Sequence, residues 1–503
     1  MSAVSAPVEP EAFVPVREGV YGDRVAAIEP GGVEYIADSE RHGKARSLFY
    51  AWTSPNLEFA TVFIGVLPIA IFGGGFGLTL LGLALGTLLG SLSHGVLSTF
   101  GSRYGVPQLV QSRASFGFWG NLLPAALNAI TSGAGWVAVN SVSGAFALVT
   151  FTKLVGHGVP QPSYLVALAV IVAIELAVAF FGYNMVHGFE RVVFPVIGII
   201  FLLCTIQIFA NSHLGTGFNA KAPAAAGGQL GAFILAVYLA FSYSASWNPY
   251  AADYSRYLPR ATSPRAIAVA AASGMFVSCL LLEAAGAAAA TVAKTNWVSG
   301  NPTDQFVIPL DHRLAIVATL AIAVGAVAAN ILNIYSGALS FLSLGITIPG
   351  RYRRAITAAL SGVVGFAIAA NSANGPGSKY ESFLLLNTYW IVPFLAVVLV
   401  DYVRRRGAYA QAEFFDRARP IWQGVTAMVA GILLSTPFWN NSPLDGFAHV
   451  VGVVAKNQPQ LGDISCLVGA VVSAAVYALL PRPRPYQPAE SKATAQPAAV
   501  TTA

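Results

Sequence analysis

Apolar residues in this chain do not alternate with polar ones; they come in long runs separated by short polar gaps. Between residues 49 and 480 there are twelve such runs, at about 55–75, 76–98, 119–151, 163–183, 191–210, 228–252, 266–292, 313–343, 355–371, 380–401, 421–439 and 462–480. A helix needs roughly 20 apolar residues to cross hydrocarbon, and no other open backbone satisfies its own N–H and C=O groups there. The pattern therefore predicts an all-α integral membrane protein with twelve transmembrane helices. Residues 1–48 are polar and include Glu9, Glu11, Glu18 and Asp23. They lack an apolar core beside a small-residue cleavage site, so they read as a cytoplasmic N-terminal tail and not as a secretory signal. Residues 481–503, rich in Pro and Ala, read as a disordered cytoplasmic C-terminal tail.

Composition sharpens this. The 503 residues are 55% hydrophobic and only 10% charged, against roughly 25% charged in soluble domains. The net charge of +6 is spread over the gaps between runs instead of massed on one face, which argues against a nucleic-acid partner. Cys204, Cys279 and Cys466 each lie within an apolar stretch without a second ligand at metal spacing, so neither a disulfide framework nor a zinc site is expected. Lys and Arg collect in cytoplasmic loops. With the N-terminus inside, the inner loops hold fourteen basic residues, from Arg103 to Arg419, and the outer loops hold six, from Lys153 to Lys456. That parity places both termini in the cytoplasm and the protein in the cell membrane.

Two runs contain helix-breaking residues, and they stand five spans apart. The first has Gly65 and Pro68 and continues into Gly73, Gly74, Gly75 and Gly77; the sixth has Ser244, Ser246, Trp247, Asn248 and Pro249. Matched breaks point to an inverted repeat with a binding site at the midplane, although Gly and Pro also serve close packing and kinks in membrane helices. Trp136 and Asn140 in the third run share a helical face, as do Asn330 and Asn333 in the eighth. An indole offers a stacking platform, and an amide reads a polar edge as donor and acceptor. Interfacial anchoring and interhelical glue are the alternative roles of such residues. Stacking contributes roughly 1 to 3 kcal/mol per base and a neutral hydrogen bond about 1 net, so two stacks and three bonds reach the scale of micromolar affinity after binding costs. These residues suit a flat uncharged heterocycle better than an anion.

Ionisable residues inside spans are candidates for function. Glu58 near the first break, Glu175, Glu283 and His94 qualify, and Glu58 is the leading proton-coupling candidate. Burial favours the neutral form of a carboxyl, and a group that changes protonation is what proton coupling requires. Enzyme signatures such as HExxH, a GxxxxGK phosphate loop and GxSxG are missing from the sequence. The GGGFG at 73–77 reads as packing or hinge glycines.

The stretches GSRYGVPQLVQSRASFGFWGNLLPAALNAITSGAGWVAVNS (101–141), VHGFERVVFP (186–195) and SASWNPYAADYSRYLP (244–259) resemble signatures of the nucleobase:cation symporter family, the last its purine-cytosine permease branch. The similarity runs through nearly all of residues 48–480. The resemblance implies two inverted five-helix repeats plus two further helices. It also implies a stacking Trp136 with Asn140 as its polar partner, a base-contacting Trp247, and Ser244 and Ser246 in the site lining. Asn333 falls on the substrate-binding amide of the eighth span, with Asn330 one turn before it. Asp253 with Arg256 is expected to be a structural or gating pair. Sodium-coupled relatives place hydroxyl residues where this chain has Val327 and Ala328. Hard cations want oxygen ligands, so the departure implies proton coupling.

The expected function is import of nucleobases, cytosine and/or purines, by proton symport with alternating access. The chain is not expected to be an enzyme, to hold a cofactor other than the coupling ion, or to need an obligate protein partner. Another flat heterocycle such as allantoin, hydantoin, uracil or a vitamin remains open as cargo, as does sodium coupling. A channel and a membrane-embedded enzyme are the rival classes.

Overall fold

The computed structural model describes residues 14–17, 29, 32–70, 72–156, 160–181, 183–214, 228–293, 297, 299–346, 348, 350–441, 450–484 and 486. The helices in chain order are α1 (Arg46–Thr53), α2 (Phe59–Ala70), α3 (Phe76–Tyr104), α4 (Leu122–Val155), α5 (Tyr164–Ala179), α6 (Tyr183–Asn211) and α7 (Gly228–Ala245). They continue with α8 (Ala251–Ser255), α9 (Pro264–Val292), α10 (His312–Leu342), α11 (Gly350–Ala370), α12 (Pro376–Arg405), α13 (Gln423–Ser435) and α14 (Ser465–Leu479). Counting α7 and α8 as one, seven of these are long and apolar enough to cross a membrane, and α2, α5, α11, α13 and α14 are shorter apolar helices. Every predicted apolar run overlaps one of the helices.

The bundle buries polar side chains among its apolar core and turns large apolar side chains outward, the arrangement of a protein dissolved in lipid. Val192, Val196, Ile199 and Ile206 of α6 face outward, whereas Asn140, Glu175, Glu283, Asn330 and Asn333 are buried. With no hydrophobic drive between helices in lipid, close approach through small residues holds them together. Gly86 and Gly90 of α3 meet α7: a Cβ on Gly86 would lie 2.8 Å from Phe241 N, and one on Gly90 would lie 2.8 Å from Ser244 Cβ. Gly65 of α2 and Gly286 of α9 face each other's helix in the same way.

The first break lies elsewhere than the glycine pattern predicts. Pro68 sits inside α2, and the chain instead leaves helical geometry between α1 and α2, where Leu57 has φ −84° and ψ 64°. Pro55, at the start of the short turn Ser54–Asn56, lacks the N–H that would continue the helix. Side chains take up the freed backbone groups: Asn56 Nδ2 donates to Trp52 O at 2.7 Å and Thr61 Oγ1 to Asn56 O at 2.7 Å. Glu58 caps α2, accepting from Ala60 N at 2.5 Å and Thr61 N at 3.2 Å. The break between α7 and α8 falls where the sequence places it, through Ser246, Trp247 and the turn Asn248–Tyr250.

The expected N-terminal tail also differs. Helix α1 begins at Arg46, and the segment before it is docked on the bundle: Ile36 N donates to Gly105 O at 3.0 Å and Arg41 Nη1 to Ser102 O at 2.6 Å. Gly105 closes α3 in the left-handed region, at φ 70°, where a glycine avoids the Cβ penalty. Residues 487–503 of the expected C-terminal tail, and residues 1–13, 18–28 and 30–31 of the N-terminal one, lie outside the described residues.

Candidate functional site: two broken helices and an amide cluster

Trp136 ends a π-helical turn, Thr131–Trp136, set within α4. Such turns insert a residue into the helix ladder and are frequent at functional sites. The indole is buried and meets three rings edge-on, Tyr243 at 5.5 Å, Tyr380 at 6.1 Å and Phe383 at 5.2 Å. Tyr380 and Phe383 also line a cavity of about 650 Å³ whose wall includes Phe59, Phe63, Val139 and Val142. The same two rings thus border both the cavity and the indole.

Tyr243 links the indole to the first break. Its hydroxyl donates to Glu58 Oε1 at 3.0 Å and lies 2.6 Å from Thr61 Oγ1. Glu58 therefore sits one side chain away from Trp136, although the two are far apart in the sequence. One turn beyond Trp136, Asn140 Nδ2 donates to Asn330 Oδ1 of α10 at 3.0 Å, and Asn333 Nδ2 reaches the same oxygen at 3.4 Å. Asn330 Nδ2 in turn contacts Val137 O at 2.9 Å, Ser141 Oγ at 3.1 Å and Glu175 Oε1 at 2.8 Å. The structure thus brings Asn140, Asn330 and Asn333 together and ties Glu175 of α5 to them.

Trp247 belongs to the second break and reaches the first, where its Nε1 donates to Asn56 Oδ1 at 3.0 Å. The irregular segments of the two broken helices satisfy each other, which couples them mechanically. Ser246 donates to Ser242 O at 2.7 Å and accepts from Asn387 Nδ2 of α12 at 2.9 Å. Ser244 donates to Ala240 O at 2.8 Å beside Gly90. Ser246 ties the break to α12 and Ser244 bonds within α7 where Gly90 approaches, and neither hydrogen-bonds to the amide cluster among the described residues. Val327 and Ala328 are buried and apolar, so their side chains bring no oxygen.

Asp253 and Arg256 do not form the expected pair. Asp253 accepts from Gln108 N at 3.0 Å, while Arg256 pairs with Glu29 of the N-terminal segment at 3.1 Å, both side chains being 1% exposed. Glu29 also accepts from Tyr183 N at 3.0 Å and Tyr335 Oη at 3.2 Å. This one carboxylate fastens α6, α10 and the end of α8 together. Helical spacing cannot reveal a partner 227 residues away. Tyr243, Asn56, Tyr380 and Phe383 were also missed; the only signal was that Asn56, like Glu58, is a polar residue in an apolar stretch.

A family described as permeases for cytosine/purines, uracil, thiamine and allantoin matches residues 35–469. The chain belongs to this family. It is a multi-pass membrane transporter of the purine-cytosine permease branch of the nucleobase:cation symporters, and its relatives are permeases, not enzymes. It is 28% identical over 469 residues to the "Putative purine-cytosine permease YxlA" of Bacillus subtilis (strain 168), covering 91% of this chain and 96% of that protein. It is 28% identical over 447 residues to the purine-cytosine permease fcyB of Emericella nidulans, covering 83% and 84%. Among solved structures it is similar to Mhp1, a nucleobase-cation-symport-1 family transporter, in a closed conformation with bromovinylhydantoin bound. The TM-score is 0.67 at 17% identity, over 90% of this chain and 94% of that one. At that identity the likeness speaks for the fold.

Proposed function

We propose that this permease imports nucleobases, cytosine and/or purines, by proton symport. Its core would be two inverted five-helix repeats, α1–α6 and α7–α12, with α13 and α14 added, making twelve crossings with both termini in the cytoplasm. Counted this way, each broken helix opens one repeat. Alternating access would come from one repeat rocking against the other around the breaks.

The observation that carries the reading is the convergence of Trp136, the Asn140–Asn330–Asn333 cluster and, through Tyr243, Glu58 on one buried region beside the breaks. Trp136 offers a stacking face, Asn140 and Asn333 offer amide edges, and Trp247 closes the region from the second break. No Lys or Arg joins this set, which suits an uncharged ring. Glu58 would carry the proton: its carboxylate touches both the α2 N-terminus and Tyr243, so a change in its protonation would be felt at the break and at the ring that abuts Trp136. Val327 and Ala328 favour a proton over sodium. A 100 mV potential supplies about 2.3 kcal/mol per charge, enough for roughly 50-fold accumulation with one proton per base.

The test is uptake of labelled cytosine and adenine into proteoliposomes with sodium, pH gradient and potential varied independently. Uptake should survive sodium removal and collapse with a protonophore. A strict sodium requirement would overturn the coupling, and uptake of neither base would overturn the cargo.

A further inference from the structure

Asparagine amides are easily turned end for end, yet one hydrogen bond sets the direction of this whole cluster. The Val137 carbonyl can only accept, so the Asn330 atom 2.9 Å from it must be the nitrogen. Its oxygen then faces α4 and accepts from Asn140 Nδ2 at 3.0 Å. Asn140 spends one of its two N–H groups on that contact and turns its own Oδ1 the other way. That oxygen is buried without a hydrogen-bond partner among the described residues, in a residue only 1% exposed. An unpaired acceptor in so dry a place calls for a donor from outside the chain.

Glu175 stands at the far end of the relay. Its Oε1 accepts from Asn330 Nδ2 at 2.8 Å and its Oε2 from Ser141 Oγ at 2.8 Å. With its hydrogen spent on Glu175, the Ser141 hydroxyl is left as an acceptor toward Asn330, at 3.1 Å. Asn330 Nδ2 thus ties the relay to Val137 on α4 and to Glu175 on α5, and the acceptor left open in it is Asn140 Oδ1.

Resting on the nucleobase reading above, we infer that Glu175 is a positioning residue that, through Asn330, holds Asn140 with its carbonyl oxygen toward the ligand. The site thereby selects bases that present an exocyclic amine over their oxo counterparts. A 6-amino or 4-amino group donates to Asn140 Oδ1, whereas a carbonyl at the same place sets two acceptors against each other and leaves both unpaired. Sites built around a hydrogen bond reject the analogue that cannot make it far more strongly than apolar pockets reject a change in size.

The experiment measures inhibition of labelled adenine uptake by adenine, hypoxanthine, cytosine and uracil in the full-length protein, with membrane abundance determined alongside. The wild type should favour adenine over hypoxanthine, and cytosine over uracil, by about tenfold or more. Glu175→Leu should cut both ratios by about fivefold or more, because Asn330 then keeps Val137 O for one N–H but loses the carboxylate that holds the other. Glu175→Gln keeps an acceptor oxygen for Asn330 and should hold the ratios within about twofold of wild type. Ser141→Ala gives an independent, milder reduction if Glu175→Leu fails to reach the membrane. Equal inhibition by amino and oxo bases in the wild type would overturn the inference while leaving nucleobase import standing, as would unchanged ratios in Glu175→Leu or, in its absence, Ser141→Ala. Wild-type protein that takes up no base at all would overturn the nucleobase reading itself.

Discussion

Gly65→Ala tests the packing that carries the first broken helix. A Cβ on Gly65 would lie 2.6 Å from the carbonyl carbon of Glu283 and 2.8 Å from Ala287 N, and closer still to the Glu283 oxygen; ordinary contact begins at 3.4 Å. The obstacle is the backbone of α9, which cannot rotate aside as a side chain can. The helices must therefore part by more than an ångström, and Gly286, whose own Cβ would meet the Val62 carbonyl, lies in the same seam. Overpacking costs about 1–3 kcal/mol, and a backbone obstacle belongs at the upper end. The better helix propensity of Ala returns about 1 kcal/mol, leaving a net loss of about 1–2 kcal/mol. In a chain of this size, whose unfolding entropy is about 1 kcal/mol/K, that lowers an apparent melting temperature by about 1–2 °C. Gly77 is the control, since a Cβ there meets nothing within 4 Å, and Gly77→Ala should melt at or slightly above wild type. The assay is thermal unfolding of purified protein in one detergent, read by the monodisperse fraction left after heating. Gly65→Ala melting at or above wild type, or both variants behaving alike, would refute the close α2–α9 approach.

Other variants probe the site. Trp136→Ala should raise the KM for the base by about 5- to 150-fold, the equivalent of one lost stack of about 1–3 kcal/mol, with Trp136→Phe retaining most of the affinity; a KM within twofold of wild type in the Ala variant would remove the indole as a platform. Glu58→Gln keeps one acceptor oxygen for the α2 N-terminus, enough for one of the Ala60 and Thr61 amides, and removes the exchangeable proton. Its base uptake should no longer follow the pH gradient, and an unchanged dependence on external pH would reassign the proton to another group. Glu29→Ala strands Arg256 without its carboxylate, and losing one partner of a buried pair costs about 3–5 kcal/mol. The apparent melting temperature should fall by about 3–5 °C, and a shift under 1 °C would show that the N-terminal segment does not fasten α6, α8 and α10.

The sequence made the helices legible because lipid leaves the backbone few choices: each apolar run had to close its own hydrogen bonds, and each overlaps a helix. The second break was legible for a local reason, since Ser246, Trp247, Asn248 and Pro249 crowd one turn. The first break was misplaced because glycines in membrane helices do two jobs. Gly65 packs against α9 and Pro68 is tolerated within α2, while the actual opening, at Leu57 and Glu58, depends on Pro55 and on side chains that take over its freed backbone groups. Same-face spacing paired Asn330 with Asn333 and Trp136 with Asn140, but it could not say that Asn140 meets Asn330 or that Glu175 stands behind both. Those contacts depend on how α4, α5 and α10 pack. The Glu29–Arg256 pair was hidden for the same reason: it joins a segment read as a tail to the end of a helix more than two hundred residues later.

The most direct measurement of the central claim is an experimental structure of the protein with cytosine or adenine bound. The ring should lie against Trp136 with its polar edge on Asn140 and Asn333. A base seated anywhere out of reach of these three side chains would contradict it.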